Sequence, residues 1–317
     1  MTSPSLRPPV LLWACLDIPP APWLTVFARE MPELEIRVWP DIGDPADITY
    51  AFVWKVPPGV LAGLPNLQAV FSLGAGVDRI LGADVMPAHL PLVRMVDPGL
   101  KEGMGEFVLM QALHYHRAMP AYAAQQARRE WRDLEVPLAR RRTVGVMGLG
   151  QLGRHCAEIL ARIGFPVRGW ARSPHDLPGI ATFHGADGLS AFLSGCEILV
   201  CLLPLTPDSR GILNAETFAR MPHGSHLINV GRGGHLVDAD LLAALDSGQI
   251  AGATLDVFQV EPLPPEHPFW SHPRIVVTPH VSAPTYPDTA APTVIDGIRR
   301  HRAGQPLLNL VDRAIGY

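Results

Sequence analysis

Gly148, Gly150 and Gly153 stand in the spacing GxGxxG, directly after the apolar run TVGVM and directly before a stretch of helical periodicity. A dinucleotide pyrophosphate needs that context. The first glycine permits a tight turn, the second lets the backbone approach the phosphates, and the third lets helix and strand pack closely. Gln151 and Leu152 fall at the start of the helix, where backbone amides face the phosphates. A glycine-rich turn of another α/β protein has the same letters. The order strand, loop, helix favours the nucleotide.

About 20 residues beyond such a loop an NAD site carries Asp or Glu for the adenosine ribose. Here the next run, PVRGW, ends in Ala171, Arg172 and Ser173. A guanidinium pairs bidentately with a 2′-phosphate, and a serine hydroxyl adds a hydrogen bond. The stretch therefore predicts NADP(H) as the preferred cofactor, with NAD(H) possible because Asp176 lies close enough to swing in. An exposed loop arginine is the plainer alternative.

Three later apolar runs end in residues that could do chemistry. HLINV leads into Gly231-Arg232-Gly233-Gly234, GATLDVF into Gln259-Val260-Glu261-Pro262, and RIVVT into Pro279-His280. In open α/β sheets reacting groups gather at the carboxyl ends of strands. A doubly wound sheet could therefore bring Arg232, Glu261 and His280 together.

The elements that must position them recur along the whole chain. Short apolar runs at 10–16, 35–39, 50–54, 67–73 and 92–95 read as buried parallel strands alternating with helices. A helical stretch at 103–119 and a polar arm or linker follow, and the alternation restarts at 143–147, 166–170, 197–203, 226–230, 252–258 and 274–278. Leu152, Cys156, Ile159 and Ile163 repeat at helical spacing, with Gly164 as the C-terminal cap. Asp238 is expected to N-cap the DADLLAALDSG helix, which Gly248 closes. From Pro284 one more helix and a tail fold back on the N-terminal part.

At 317 residues, with 48% hydrophobic and 18% charged side chains, the chain is long enough for two domains. MTSPSLRPPV does not read as a secretory signal, and no apolar run approaches the length of a membrane span. Cys15, Cys156, Cys196 and Cys201 lack CxxC spacing. They read as buried thiols of a reducing, cytoplasmic compartment rather than as metal ligands, and no metal is expected. A net charge of -4 without a pronounced basic run disfavours nucleic acid and membrane partners.

The trio also carries a resemblance. NVGRGGHLVDADLLAALDSGQIAGATLDVFQVEPLP followed by HPRIVVTPH is similar, in order and spacing, to the signature stretch of the D-isomer-specific 2-hydroxyacid dehydrogenases. AFVWKVPP, FSLGAGVD, PFWSHPR and the ending VDRAIGY resemble its bacterial glyoxylate/hydroxypyruvate reductases of the A type. The likeness covers nearly the whole chain. It implies two doubly wound parallel-sheet domains: a Rossmann NADP-binding domain at 98–284 inserted into a flavodoxin-like substrate domain made of 1–97 and 285–317. The active site would lie in the cleft between them, with hinges near Asp97-Pro98 and Ala283-Pro284.

The resemblance further implies NADPH-dependent reduction of small 2-keto acids, glyoxylate to glycolate and hydroxypyruvate to glycerate. His280 would be general acid/base, protonating the carbonyl oxygen while hydride reaches the carbon. Glu261 would hold that ring and favour its charged form. Arg232 would bind the substrate carboxylate and polarise the carbonyl. Ala75, Gly76 and Val77 would receive the carboxylate on backbone amides. Trp54 would lie against the substrate, with Lys55 nearby, although Trp54 reads equally as core. Leu203, Pro204 and Thr206 would line the adenosine side, Val230 and Gly231 would border the cofactor, and Asp256 would accept from the nicotinamide carboxamide.

Family members usually dimerise, and 103–131 is the expected arm of a homodimer. Two departures stand out: Arg172 and Ser173 in place of an acid, and Gly231 where alanine is frequent. A dehydrogenase for a bulkier 2-hydroxy acid, or a cofactor-sensing regulator without catalysis, fits the same signature. The compact chain, without long extensions, favours the enzyme.

Overall fold

The computed structural model describes residues 8–82 and 85–317, so most of the stretch read above for a secretory signal lies outside the described residues. The chain divides into two compact units. One comprises residues up to Leu100 together with Thr285–Tyr317, and the other is Lys101–Pro284.

In the first unit β1 (Val10–Cys15), β2 (Glu35–Val38), β3 (Tyr50–Trp54), β4 (Ala69–Ser72) and β5 (Leu92–Val93) form a parallel sheet in the order β2-β1-β3-β4-β5. This is the flavodoxin-like order. Every residue of β1 and β4 is buried, which is why these strands read as unbroken apolar runs rather than alternating ones. Helix α1 (Ala21–Glu30) follows β1 and buries Trp23, Val26 and Phe27. Trp13, Trp23, Phe27 and Phe52 then form a cluster of tilted and edge-on ring pairs, with centroids 5.2 to 6.3 Å apart.

Helix α2 (Pro98–His116) opens behind fully buried Asp97, whose Oδ2 accepts from the amides of Gly99 and Leu100 at 3.0 and 3.3 Å. Helix α3 (Met119–Arg128) follows after a break at Ala118, which has a φ of 55°. The single helix expected over 103–119 is thus longer at its start and followed by a second.

The second unit then lays down β6 (Val144–Met147), α4 (Gln151–Ile163), β7 (Val167–Ala171), β8 (Ala181–His184), α5 (Gly185–Leu193), β9 (Ile198–Cys201), α6 (Ala215–Arg220), β10 (Ser225–Asn229), α7 (Asp238–Asp246), β11 (Ile250–Leu255) and β12 (Ile275–Val277). All seven strands pair in parallel, in the order β12-β11-β10-β9-β6-β7-β8. Helix α8 (Pro287–Arg302) returns the chain to the first unit, where Gly297 lets it close on Phe71.

Two sequence expectations are corrected. Strand β8 is a seventh strand without an apolar run: ATFH is a half-exposed edge strand and lacks the signal that marked the buried ones. Asp238 is the first residue of α7 rather than its cap, which is Val237, and its carboxylate lies 3.4 Å from His267. Gly164 does terminate α4, in the left-handed conformation at φ 103°.

Candidate active site

The order of the larger sheet reverses between β6 and β9, the usual place of a nucleotide crevice in such sheets. The glycine loop leaves β6 there. Gly148 has φ +104°, and a side chain on it would meet the Leu202 carbonyl oxygen at 2.7 Å. A Cβ on Gly153 would lie 1.8 Å from the Gly148 oxygen, so the first turn of α4 can sit on the loop only without one. Nothing lies within 4 Å of a Cβ on Gly150. Gly150 and Gln151 are exposed at the amino end of α4, Leu152 is half-buried and Gly153 buried. The backbone here is bare, tightly turned and open to a pyrophosphate.

Arg172 and Ser173 are exposed just beyond β7, the strand next to β6. Leu203, Pro204 and Thr206 form a half-buried turn after β9. Ser209 holds that turn together: its hydroxyl donates to the Pro204 oxygen at 2.7 Å and accepts from the Thr206 amide at 2.9 Å. These loops leave neighbouring strands, as a nucleotide site of this fold requires.

Arg232, Glu261 and His280 follow β10, β11 and β12, three adjacent strands. The Arg232 loop packs against the one after β11 because Gly233 has no side chain; a Cβ there would lie 1.8 Å from the Phe258 carbonyl carbon. His280 is left-handed at φ 56°, and its Nδ1 lies 3.1 Å from Glu261 Oε2. The other Glu261 oxygen accepts from the Phe258 amide at 3.1 Å. A carboxylate only accepts, so the ring hydrogen facing it sits on Nδ1 and Nε2 is left for other work. The His280 side chain is 37% exposed and that of Glu261 18%, which suits a group that must meet a ligand and one that must orient it. The Arg232 guanidinium donates from Nη1 to the Gly231 oxygen at 2.8 Å.

Asp256 does not match its expected role. It is fully buried: Oδ1 accepts from the Thr278 hydroxyl at 2.6 Å and the Val281 amide at 2.9 Å, and Oδ2 accepts from the Ser282 amide at 2.9 Å. Its carboxylate fixes the turn on either side of His280 and leaves no exposed oxygen for a carboxamide. Val230 and Gly231 are also buried.

Two further residues escaped the sequence reading. Asn229 is fully buried at the end of β10; its Oδ1 accepts from the Gly231 amide and its Nδ2 donates to the Arg232 oxygen, each at 3.2 Å. A lone polar residue closing the run HLINV was the available signal. His235, also fully buried, accepts from the Arg232 amide, and no spacing rule marks it.

In the first unit the carboxyl ends of β3 and β4 carry the other expected residues. Trp54 lies against Gly74, where a Cβ would meet its ring at 2.8 Å. The amides of Ala75, Gly76 and Val77 donate to no acceptor among the described residues, three consecutive donors in a turn of the kind that takes an anion. Lys55, left-handed at φ 54°, pairs with Asp17 at 3.1 Å. Among the described residues no three His, Cys, Asp or Glu side chains converge on a metal-sized site, and no helix is long and apolar enough to cross a membrane.

A dinucleotide crevice with a His-Glu pair and an arginine on adjacent strand ends defines a nicotinamide-dependent oxidoreductase. The chain belongs to the D-isomer specific 2-hydroxyacid dehydrogenases: the NAD binding domain of that family matches residues 109–282. It is 45% identical over 302 residues to glyoxylate/hydroxypyruvate reductase A of Photorhabdus laumondii, covering 94% of this chain and 96% of that one. Among solved structures, a D-isomer specific 2-hydroxyacid dehydrogenase from Xanthobacter autotrophicus in complex with NADPH and MES superposes with a TM-score of 0.94 at 43% identity, over 98% of this chain and 100% of that one. The NADPH-dependent glyoxylate/hydroxypyruvate reductase of Sinorhizobium meliloti, in complex with NADP and sulfate, does so with a TM-score of 0.92 at 42% identity and the same coverage.

Proposed function

We propose that the protein is an NADPH-dependent reductase of small 2-keto acids, converting glyoxylate to glycolate and hydroxypyruvate to glycerate. The observation that carries this reading is the His280-Glu261 pair on the strand end next to that of Arg232, in a chain whose relatives are named for that activity. When bound, the reduced nicotinamide supplies the hydride that adds to the keto carbon. Arg232 binds the substrate carboxylate through its planar fork and draws charge onto the carbonyl oxygen. In the first unit the amides of Ala75, Gly76 and Val77 offer an anion-binding turn, and the Trp54 ring lies against Gly74 beside it. His280, protonated at both ring nitrogens, gives its Nε2 proton to the carbonyl oxygen and is recharged from solvent. Glu261 keeps Nδ1–H pointed inward throughout.

Arg172 and Ser173 receive the 2′-phosphate in this reading, which makes NADPH the preferred reductant. The unit 101–284 is the cofactor-binding domain and the remainder the substrate domain. A matrix of keto acids against NADPH and NADH tests both assignments. Oxidation of NADPH by glyoxylate and hydroxypyruvate is expected, and Arg172→Ala should reduce kcat/KM for NADPH far more than for NADH. Silence across the matrix ends the enzyme reading, and an equal loss for both cofactors ends the role given to Arg172.

We also infer a homodimer joined through the arm that includes Trp131, which is 100% exposed. A cytoplasmic location is supported by four buried free thiols, three of them pushed up by burial to about 12 and thus kept from thiolate chemistry.

A further inference from the structure

We propose that His235 is a positioning residue that locks the substrate-binding arginine to the cofactor-lining turn through one neutral imidazole. This rests on the reading above for Arg232 and for the turn 203–206. His235 ends the short helical turn Gly233–His235 and is fully buried. Its Nδ1 accepts from the Arg232 amide at 3.1 Å, and its Nε2 lies 3.2 Å from the Pro204 carbonyl oxygen. An amide only donates and a carbonyl only accepts, so the two neighbours select a single tautomer, with the hydrogen on Nε2. The His235 backbone is fixed from both sides: its amide donates to the Arg232 oxygen at 3.2 Å and its oxygen accepts from Leu213 at 2.8 Å.

The ring thereby links the end of β10 to the end of β9. Gly231 makes room for it, since a Cβ there would lie 3.0 Å from His235 Nδ1 and 3.1 Å from the Leu203 oxygen. Glycine at that position therefore has a reason beyond its own backbone. A histidine that only filled the core would not need its two ring nitrogens bonded to two different strand ends of the site.

The two bonds can be separated in the full-length protein. His235→Asn keeps an acceptor near the Nδ1 position and loses the reach to Pro204. His235→Gln keeps a donor near the Nε2 position and loses the acceptor for Arg232. For His235→Asn the Kd of NADPH should rise about fivefold, the size of one net hydrogen bond, while the KM of glyoxylate stays within about twofold. His235→Gln should show the reverse.

Parallel changes in both constants for both variants, tracking the loss of Tm, would mean that His235 only packs, and unchanged constants would overturn the proposal equally. Absence of wild-type turnover with every keto acid would instead overturn the proposed function. The positioning role is then decided by NADPH affinity alone, which His235→Asn must weaken and His235→Gln must keep.

Discussion

His280 sits in the left-handed region, a conformation that costs an ordinary L-residue about 1 kcal/mol and that histidine tolerates better than most. Asp256 holds it there by bonding to residues on both sides of it, so the imidazole reaches Glu261 from a fixed base. In the proposed reaction His280→Ala should lower kcat by about 100-fold to 10,000-fold, the range of general acid catalysis, and leave NADPH binding intact. Glu261→Gln is the sharper test. The amide is the same size but can present a donor to Nδ1, which favours the wrong tautomer and removes the charge that supports the imidazolium. A fall in kcat of at least about tenfold at unchanged Tm is expected, and wild-type kcat would show that Glu261 does not orient the ring. The trio was readable in the sequence because strand ends in this fold concentrate chemistry. Asp256 was visible as a candidate but not its direction, and His235 was not visible at all. Which way a side chain turns is decided by its neighbours in space, and spacing along the chain does not carry that.

At the level of elements, the strands with every residue buried were legible because burial on both faces removes the polar alternation, whereas the edge strand β8 was not. The join between α2 and the sheet was equally silent, because its partners are far apart in sequence. On α2, Met104, Val108, Ala112 and Tyr115 face the core that contains Val144, Val146 and Ile228. The Tyr115 hydroxyl lies 2.7 Å from the Thr254 hydroxyl, which donates to Gln111 at 3.0 Å, and the Tyr115 ring lies over His226 of β10 with centroids 4.4 Å apart. Burial, with nearby Arg142 and His114, lowers the His226 pKa from 6.5 to about 4. Above pH 6.5 both folded and unfolded chains leave this ring neutral. As pH falls further the unfolded chain takes up the proton and the folded one does not, so stability declines until about pH 4, where the loss levels off. The decline should amount to about 3 kcal/mol in all. Tm measured from about pH 7 to about pH 5 should therefore drop in the wild type and drop less in His226→Phe, which keeps the ring but cannot titrate. Equal slopes would mean that other groups control the acid limb.

The whole molecule presents a different problem, because an assembly has no signature in strand periodicity. The segment after α3 is ordered by local bonds: Arg129 turns the chain at φ 57°, Arg128 pairs with Glu130 at 2.8 Å, and the Leu134 amide donates to the Tyr122 hydroxyl at 3.2 Å. A groove lined by Tyr122, Gln125, Arg129, Trp131 and Asp133 results, with Trp131 itself 100% exposed. Leaving an indole in water on an ordered arm is unfavourable for a lone chain. Covering it removes about 200 Å² of largely apolar surface, on the order of 5 kcal/mol per copy. A second copy that presents the same arm would cover both indoles at once, as a two-fold contact does. Trp131→Glu separates the possibilities. On a monomer this fully exposed substitution should change stability by no more than about 0.5 kcal/mol, and Tm should not depend on protein concentration. If the arm joins two copies, the wild type should sediment as a dimer with a Tm that rises with concentration, and Trp131→Glu should sediment as a monomer with a lower Tm that does not. A variant that remains dimeric would remove Trp131 from the interface, and a monomeric wild type would remove the interface itself.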